Sequence, residues 1–232
     1  MLRIAIFSDV HGNLAALRAV LAAIDGHRPV QLLVAAGDHV APAGARPAET
    51  FDLLVERGCA LLLGNHDELL WDPESEQLTG PYAALVRRQE PWARAALGDR
   101  RIDLLRRLPR QLRLSPAVGQ DLLIVHASLF DHLRGHAATV GTDEEELHRL
   151  YGGAGARVIA FGHFHEAFVR EWEGGTLANV ASVSLPKDGK PLAGYSIFNW
   201  DGGDWSIEQF RVPYDHADEE GALAASDIPR DE

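Results

Sequence analysis

The sequence predicts an α/β fold in one domain, and three observations carry that expectation. Five short apolar runs, at residues 4–7, 31–35, 60–63, 122–125 and 158–161, are too brief for helices and read as strands buried on both faces. Helical spacing fills the gaps between the first three. Beyond Glu166 the hydrophobic period falls to two, which reads as antiparallel strands and hairpins.

Taken in order, the first run leads to Asn13, a candidate N-cap, followed by Leu14, Leu17, Leu21 and Ile24 on one helix face. Phe51, Leu54 and Val55 repeat the pattern ahead of Gly58, a candidate helix stop. The first third is therefore β-α-β-α-β. Residues 71–114 read as an interrupted helical insert punctuated by Pro81, Pro91 and Pro109, expected to cap the mouth of the crevice at the strand ends. Thr142-Asp143-Glu144-Glu145 resembles a capping box before Leu147, Leu150 and Tyr151. Segments 167–172, 176–180, 195–200 and 205–212 alternate, with Gly174-Gly175 and Asp201-Gly202-Gly203 as turns. The final stretch, 215–232, is rich in acids and alanine and is expected to be a mobile tail.

The length of 232 residues suffices for one large domain, and 46% hydrophobic with 24% charged residues is a globular composition. A net charge of -12 withholds the counterion-release term that drives binding to nucleic acid, so long polymers are not expected as substrates. The arginines of the middle third alternate with apolar residues at helical spacing and read as a solvated face. The single cysteine, Cys59, excludes an internal disulfide. No run reaches the ~20 apolar residues of a membrane span, and the N-terminus enters a strand directly. The expected location is cytoplasmic.

Each strand-like run ends in metal-ligand chemistry. The motifs are Ser8-Asp9-Val10-His11, Gly37-Asp38-His39, Gly64-Asn65-His66-Asp67, Val125-His126 and Gly162-His163-Phe164-His165. In an open α/β sheet, loops at the carboxyl ends of strands converge, so these residues can meet. A carboxylate such as Asp38 has two oxygens and can bridge cations about 3.5–4 Å apart. Asn65 offers a neutral oxygen; His163 and His165, two residues apart, can each serve one cation, with His126 completing the second set. His66 reads as a proton donor to the leaving group, its tautomer fixed by Asp67. Asn13 and His39 are further candidates for touching substrate. Imidazole mixed with carboxylate suits Mn²⁺, Fe²⁺, Co²⁺, Ni²⁺ or Zn²⁺, with Mn²⁺ preferred, and the absence of cysteine ligands argues against a structural zinc site. The set reads as a two-metal hydrolase of a phosphate ester.

The order Asp-x-His, Gly-Asp, Gly-Asn-His-Asp, His, Gly-His-x-His resembles the calcineurin-like metallophosphoesterases, over residues 4 to about 195. Gly37-Asp38-His39-Val40 and Leu63-Gly64-Asn65-His66-Asp67-Glu68 look like its small bacterial phosphodiesterase branch. The resemblance implies a four-layer α/β/β/α sandwich spanning 1–214. It places Asp9, His11, Asp38 and His165 around one metal and Asp38, Asn65, His126 and His163 around the other. It also implies in-line attack by a metal-bridging hydroxide, with His66 protonating the leaving oxygen or steadying the phosphate. The expected substrates are small phosphodiesters, cyclic or other small nucleotides above all. A nuclease or a protein phosphatase of the same fold is the alternative, or a non-catalytic binding subunit of the kind found in retromer. One departure stands out: Asn179-Val180-Ala181-Ser182 replaces the Asn-Pro-Gly-Ser of many relatives, and a different loop path there would reshape the pocket.

Overall fold

The computed structural model describes residues 1–73, 80–129 and 137–230, with residues 80–82 described by backbone alone. The order of elements opens with β1 (Leu2–Phe7), α1 (Leu14–Asp25), β2 (Leu32–Ala35), α2 (Pro47–Glu56), β3 (Ala60–Leu61) and α3 (Asn65–Leu69). It continues with α4 (Gly80–Leu105), β4 (Gln111–Leu114), β5 (Leu122–Val125), α5 (Glu144–Tyr151) and β6 (Val158–Phe161). It closes with β7 (Phe168–Trp172), β8 (Gly175–Asn179), β9 (Ala193–Trp200), β10 (Trp205–Val212) and α6 (His216–Ala225).

The strands form two five-stranded mixed sheets, ordered β10-β9-β1-β2-β3 and β4-β5-β6-β8-β7. β1, β2 and β3 run parallel, as do β5, β6 and β8, so their carboxyl ends share one edge in each sheet. Strand periodicity explains how the layers stack. Within β1, Ala5 and Phe7 point to a core under α1, whereas Ile4 and Ile6 point to a core they share with Leu122, Ile124, Val158 and Ala160 of the other sheet. A third core sets Leu147, Leu150 and Tyr151 of α5 against Leu123, Ile159 and Phe161. The result is a four-layer α/β/β/α sandwich.

Local signals act largely as expected. Asn13 caps α1, its Oδ1 accepting from the Ala16 N–H at 2.9 Å, and Gly58 sits past α2 at a φ of 64°. The cap of α5 is shifted by one residue: Asp143, not Thr142, accepts from the Glu146 N–H, while the Thr142 hydroxyl accepts from the Thr139 N–H.

The insert is an interrupted helix for much of its described length, as expected, but differs at its end. Its last four residues are β4, an edge strand antiparallel to β5, rather than helix. Its helix α4, broken at Gly98 by a φ of 72°, packs on α2 and α3. Of Trp71, Tyr82 and Trp92, aromatic residues whose helical spacing favours core packing over stacking on a base at the mouth, Trp71 and Trp92 are half-buried in the apolar cluster of Phe51, Leu70, Leu97 and Leu105. The side chain of Tyr82 lies outside the described residues.

Residues 215–230 are not the loose tail that their composition predicts. Asp215 caps α6 by accepting from the Asp218 N–H. Glu219, 6% exposed, accepts from the Ala45 N–H at 3.0 Å. Arg46 pairs with Asp218 at 2.9 Å, and Gln89 donates to the Pro229 carbonyl at 2.8 Å. Few anchors suffice because each lands on a neighbouring loop or helix; residues 231–232 lie outside the described residues.

Candidate metal centre

The carboxyl ends of β1, β2, β5 and β6 and the start of α3 bring all seven predicted donors together. The donors form two groups: Asp9, His11 and His165 in one, Asp38, His126 and His163 in the other, each with its ligand atoms mutually within 4.8 Å. Asn65 joins the second, its Oδ1 lying 2.8 Å from His126 Nε2 and 3.0 Å from His163 Nδ1. Asp38 stands between the groups, with Oδ2 3.3 Å from His126 Nε2 and 4.0 Å from His11 Nε2.

The chain strains its backbone to achieve this. Asp9, His11, Asp38, His163 and His165 have φ values of 57°, 50°, 54°, 70° and 61°. Left-handed backbone costs a non-glycine residue about 1–2 kcal/mol. Five such residues at one locus mark where the fold is held against local preference. The glycines beside them serve close approach: a Cβ on Gly37 would stand 2.4 Å from His126 Nδ1, and one on Gly162 would stand 2.5 Å from Asp9 Oδ2.

Ring orientations bear on whether a cation fits. His11 Nδ1 donates to the Ala41 carbonyl at 2.7 Å, His126 Nδ1 to Ala36 at 2.8 Å and His165 Nδ1 to Leu185 at 3.0 Å. A carbonyl only accepts, so each neutral ring carries its proton on Nδ1 and turns an Nε2 lone pair inward. His11 Nε2 and His165 Nε2 then face each other at 3.2 Å, with Asp9 Oδ1 3.1 Å from the latter. Two lone pairs repel at that distance unless positive charge lies between them. The donor set fits divalent cations.

In the protein alone, protons rather than cations offset the buried carboxylates. Burial would raise the Asp9 carboxyl, but the His165 imidazole beside it prevails and holds it at about 2. Burial opposes ionisation of Asp38 as well, yet His126 foremost keeps it well below the usual carboxylate range. Asp38 in turn holds a proton on His126 to about 10 against the effect of burial, so in the protein alone a proton balances the negative charge there. Burial, reinforced by the charge on His126, pushes His163 down to about 3.

His66 follows Asn65 in α3 and is 8% exposed; its ring meets that of His11 edge-on at 5.6 Å, which sets it beside the first group. Burial pushes it down to about 4, with Asp38 pulling the other way. Three predicted roles need correction. Asp67 does not fix the His66 tautomer: its carboxylate accepts from the backbone N–H groups of Asp38 at 3.0 Å, His39 at 2.9 Å and Gly64 at 3.1 Å, clamping two site loops together. His39 is wholly buried against the Leu62 carbonyl, beneath the site rather than facing substrate. Asn13 uses its Oδ1 to cap α1 and directs its Nδ2 to the Tyr214 hydroxyl.

The sequence marked Asn179 and Ser182 only as part of an altered loop and assigned neither a role at the site. The Ser182 hydroxyl donates to the Asp9 carbonyl at 2.9 Å, and Asn179 holds the Gly162 carbonyl at 2.8 Å through Nδ2 and the Ala181 N–H through Oδ1. Both polar groups at the end of a buried strand were the available signal. Ala181 itself takes a φ of 70°. The replacement of glycine there leaves the loop in a conformation that glycine favours.

Comparison with known proteins gives the same answer. The chain is 30% identical to the uncharacterized protein MJ0912 of Methanocaldococcus jannaschii, over 91% of this chain and 88% of that one. It superposes on the metallophosphoesterase of Sphaerobacter thermophilus with a TM-score of 0.75 and 25% identity, covering 98% and 95% of the two chains. The phosphoesterase Yfce of E. coli matches with a TM-score of 0.50 and 21% identity, over 91% and 100%. Residues 2–203 match the model of the calcineurin-like phosphoesterase superfamily domain. With that match across most of the sequence, and two groups of potential metal donors at the strand ends, this chain belongs to the calcineurin-like phosphoesterase superfamily.

Proposed function

We propose that the protein hydrolyses small phosphodiesters, small nucleotides among them, with two divalent transition-metal ions, Mn²⁺ first among them. Asp9, His11, Asp38 and His165 would hold one ion, and Asp38, Asn65, His126 and His163 the other. The observation that carries this reading is the position of Asp38 between two donor groups, in the first of which the inward nitrogens of His11 and His165 face each other at 3.2 Å. When bound, the ions supply positive charge for the phosphate and lower the pKa of the attacking water.

The remaining work falls to the chain. His66, held neutral at pH 7 in the protein alone, would hold a phosphate oxygen through its one ring N–H; the negative charge of a bound phosphate would favour its imidazolium form, which could protonate the leaving oxygen and be left as neutral imidazole. The Asp67 clamp and the backbone of α3 keep His66 beside Asp38, whose Oδ1 accepts from the His66 N–H at 2.9 Å. A net charge of -12 supports small diffusible substrates over polymers.

Elemental analysis of purified protein should find about two transition-metal ions per chain. Metal-stripped protein refilled with single cations should then hydrolyse aryl phosphodiesters or cyclic nucleotides faster than phosphomonoesters or long DNA. Fewer than one ion per chain, with activity indifferent to chelator, would overturn the reading. Efficient degradation of long DNA without turnover of any small diester would favour a nuclease.

A further inference from the structure

Of the 22 basic residues in the chain only two are lysines, Lys187 and Lys190, and both lie in the loop between β8 and β9. The loop is bonded to a candidate ligand from both sides: His165 Nδ1 donates to the Leu185 carbonyl at 3.0 Å, and the Lys187 N–H donates to the His165 carbonyl at 3.0 Å. The Lys187 backbone is therefore fixed to the site. Its ammonium lies 5.8 Å from the centroid of the Phe164 ring, and that ring lies 4.9 Å from the ring of His163. Phe164 itself stands in sequence between the two histidines and is half-buried.

Arginines elsewhere on the surface are neutralised by nearby acids. Arg46, Arg57, Arg101, Arg113, Arg170 and Arg211 each pair with a carboxylate. Lys187 is exposed, and among the described residues no carboxylate lies within ion-pair distance of it. The adjacent acid is occupied elsewhere: Asp188 accepts from Arg211 Nε at 2.8 Å and from the Lys190 N–H at 3.1 Å. In a protein of net charge -12, an exposed cation beside this site, with no carboxylate paired to it, offers local positive charge to an anionic group.

We propose that Lys187 is a specificity-determining residue that binds a second anionic group of the substrate, beyond the phosphate being cleaved, with Phe164 holding its ammonium at the rim through a cation–π contact. The substrates favoured are then nucleotides carrying an additional phosphate, in preference to cyclic nucleotides or simple aryl diesters. This rests on the phosphodiesterase reading above.

The test uses two substrates that differ by one group, thymidine 5′-(p-nitrophenyl phosphate) and its 3′-phosphorylated counterpart, on metal-loaded protein. The 3′-phosphate should lower KM in the wild type. Lys187→Met should erase that advantage, raising KM for the 3′-phosphorylated substrate about fivefold, as for one partly exposed ion pair. It should leave kcat and the singly charged substrate unchanged. Lys187→Arg should retain the preference, and Lys190→Met should alter it less. In parallel, calorimetry with thymidine 3′,5′-bisphosphate and thymidine 5′-monophosphate should show the same charge-dependent difference without turnover. An unchanged preference in Lys187→Met, in both kinetics and binding, would overturn the proposal. If neither diester is cleaved by the wild type, it is the phosphodiesterase reading that fails, and the binding pair still decides the role of Lys187.

Discussion

The sheet built on β1, β2 and β3 supplies every oxygen donor of the centre, in Asp9, Asp38 and Asn65, together with the single imidazole of His11. The facing sheet, through β5 and β6, supplies nitrogen alone, in His126, His163 and His165. Each donor group draws on both sheets. Each group completes its donor set only with imidazoles from the facing sheet, His165 in one and His126 and His163 in the other, so the centre forms only when the apolar layer of Ile4, Ile6, Val34, Ile124 and Val158 brings the sheets into register. Two glycines, one per sheet, mark the closest approach: Gly37 faces His126, and Gly162 faces Ser8 and Asp9.

The largest effect should come from the residue that serves both halves. Asp38→Ala removes the oxygen shared between the groups and should abolish measurable turnover, a loss on the order of 10³-fold or more, with metal content falling by at least one ion per chain. His66→Ala, beside the centre but outside both donor groups, should keep its metal and slow turnover by ~10²-fold on esters with poor leaving groups. Equal metal loss in the two variants would erase the distinction drawn between them.

The contact between sheets can be probed without touching a ligand. A Cβ at residue 162 would stand 2.3 Å from the Ser8 hydroxyl and 2.5 Å from Asp9 Oδ2, both on the opposite sheet. Gly162→Ala should therefore force the halves apart locally, costing about 1–3 kcal/mol of stability and weakening metal binding at the Asp9 group. Gly141→Ala, where a new Cβ meets nothing within 4 Å, is the control. Thermal denaturation with and without metal reads both consequences. A variant as stable and as metal-loaded as the control would show that the sheets have slack at the centre.

The same contrast explains what the sequence could disclose. Donors at strand ends were legible because a parallel strand delivers its next residues to a known edge, and Asp9, Asp38, His126 and His163 needed only that rule. The side chains that hold those donors were not legible. Asp67 looked like a partner for His66 because the two are adjacent, whereas its oxygens are taken by three backbone N–H groups, two of them from a loop 28 and 29 residues away in sequence. His39 shares its local pattern with the ligands, and only the burial of its ring against the Leu62 carbonyl separates it from them. The final segment failed for the opposite reason: acids and alanines give little core, but Glu219 and Ile228 each find a buried place on neighbouring elements, which composition does not record.

The smallest effect concerns Ala181, where the loop after β8 is tied to the other sheet by the bond from Ser182 to the Asp9 carbonyl. Its φ of 70° costs alanine about 1–2 kcal/mol, which glycine would avoid. Glycine would bring its own penalty, about 0.5–1 kcal/mol of extra chain entropy lost on folding. It would also remove a buried methyl worth about 0.8 kcal/mol, one that packs where a Cβ on Gly194 would stand 2.9 Å from it. The terms nearly cancel, so Ala181→Gly should stay within about 1 kcal/mol of the parent, with metal content and turnover unchanged. Ala181→Val, branched at a left-handed position with Gly194 in contact, should instead lose about 2–3 kcal/mol and loosen the Ser182 bond to Asp9. If glycine were as damaging as valine, the methyl would be the tie between loop and sheet; if both were neutral, the loop would not be holding Asp9 at all.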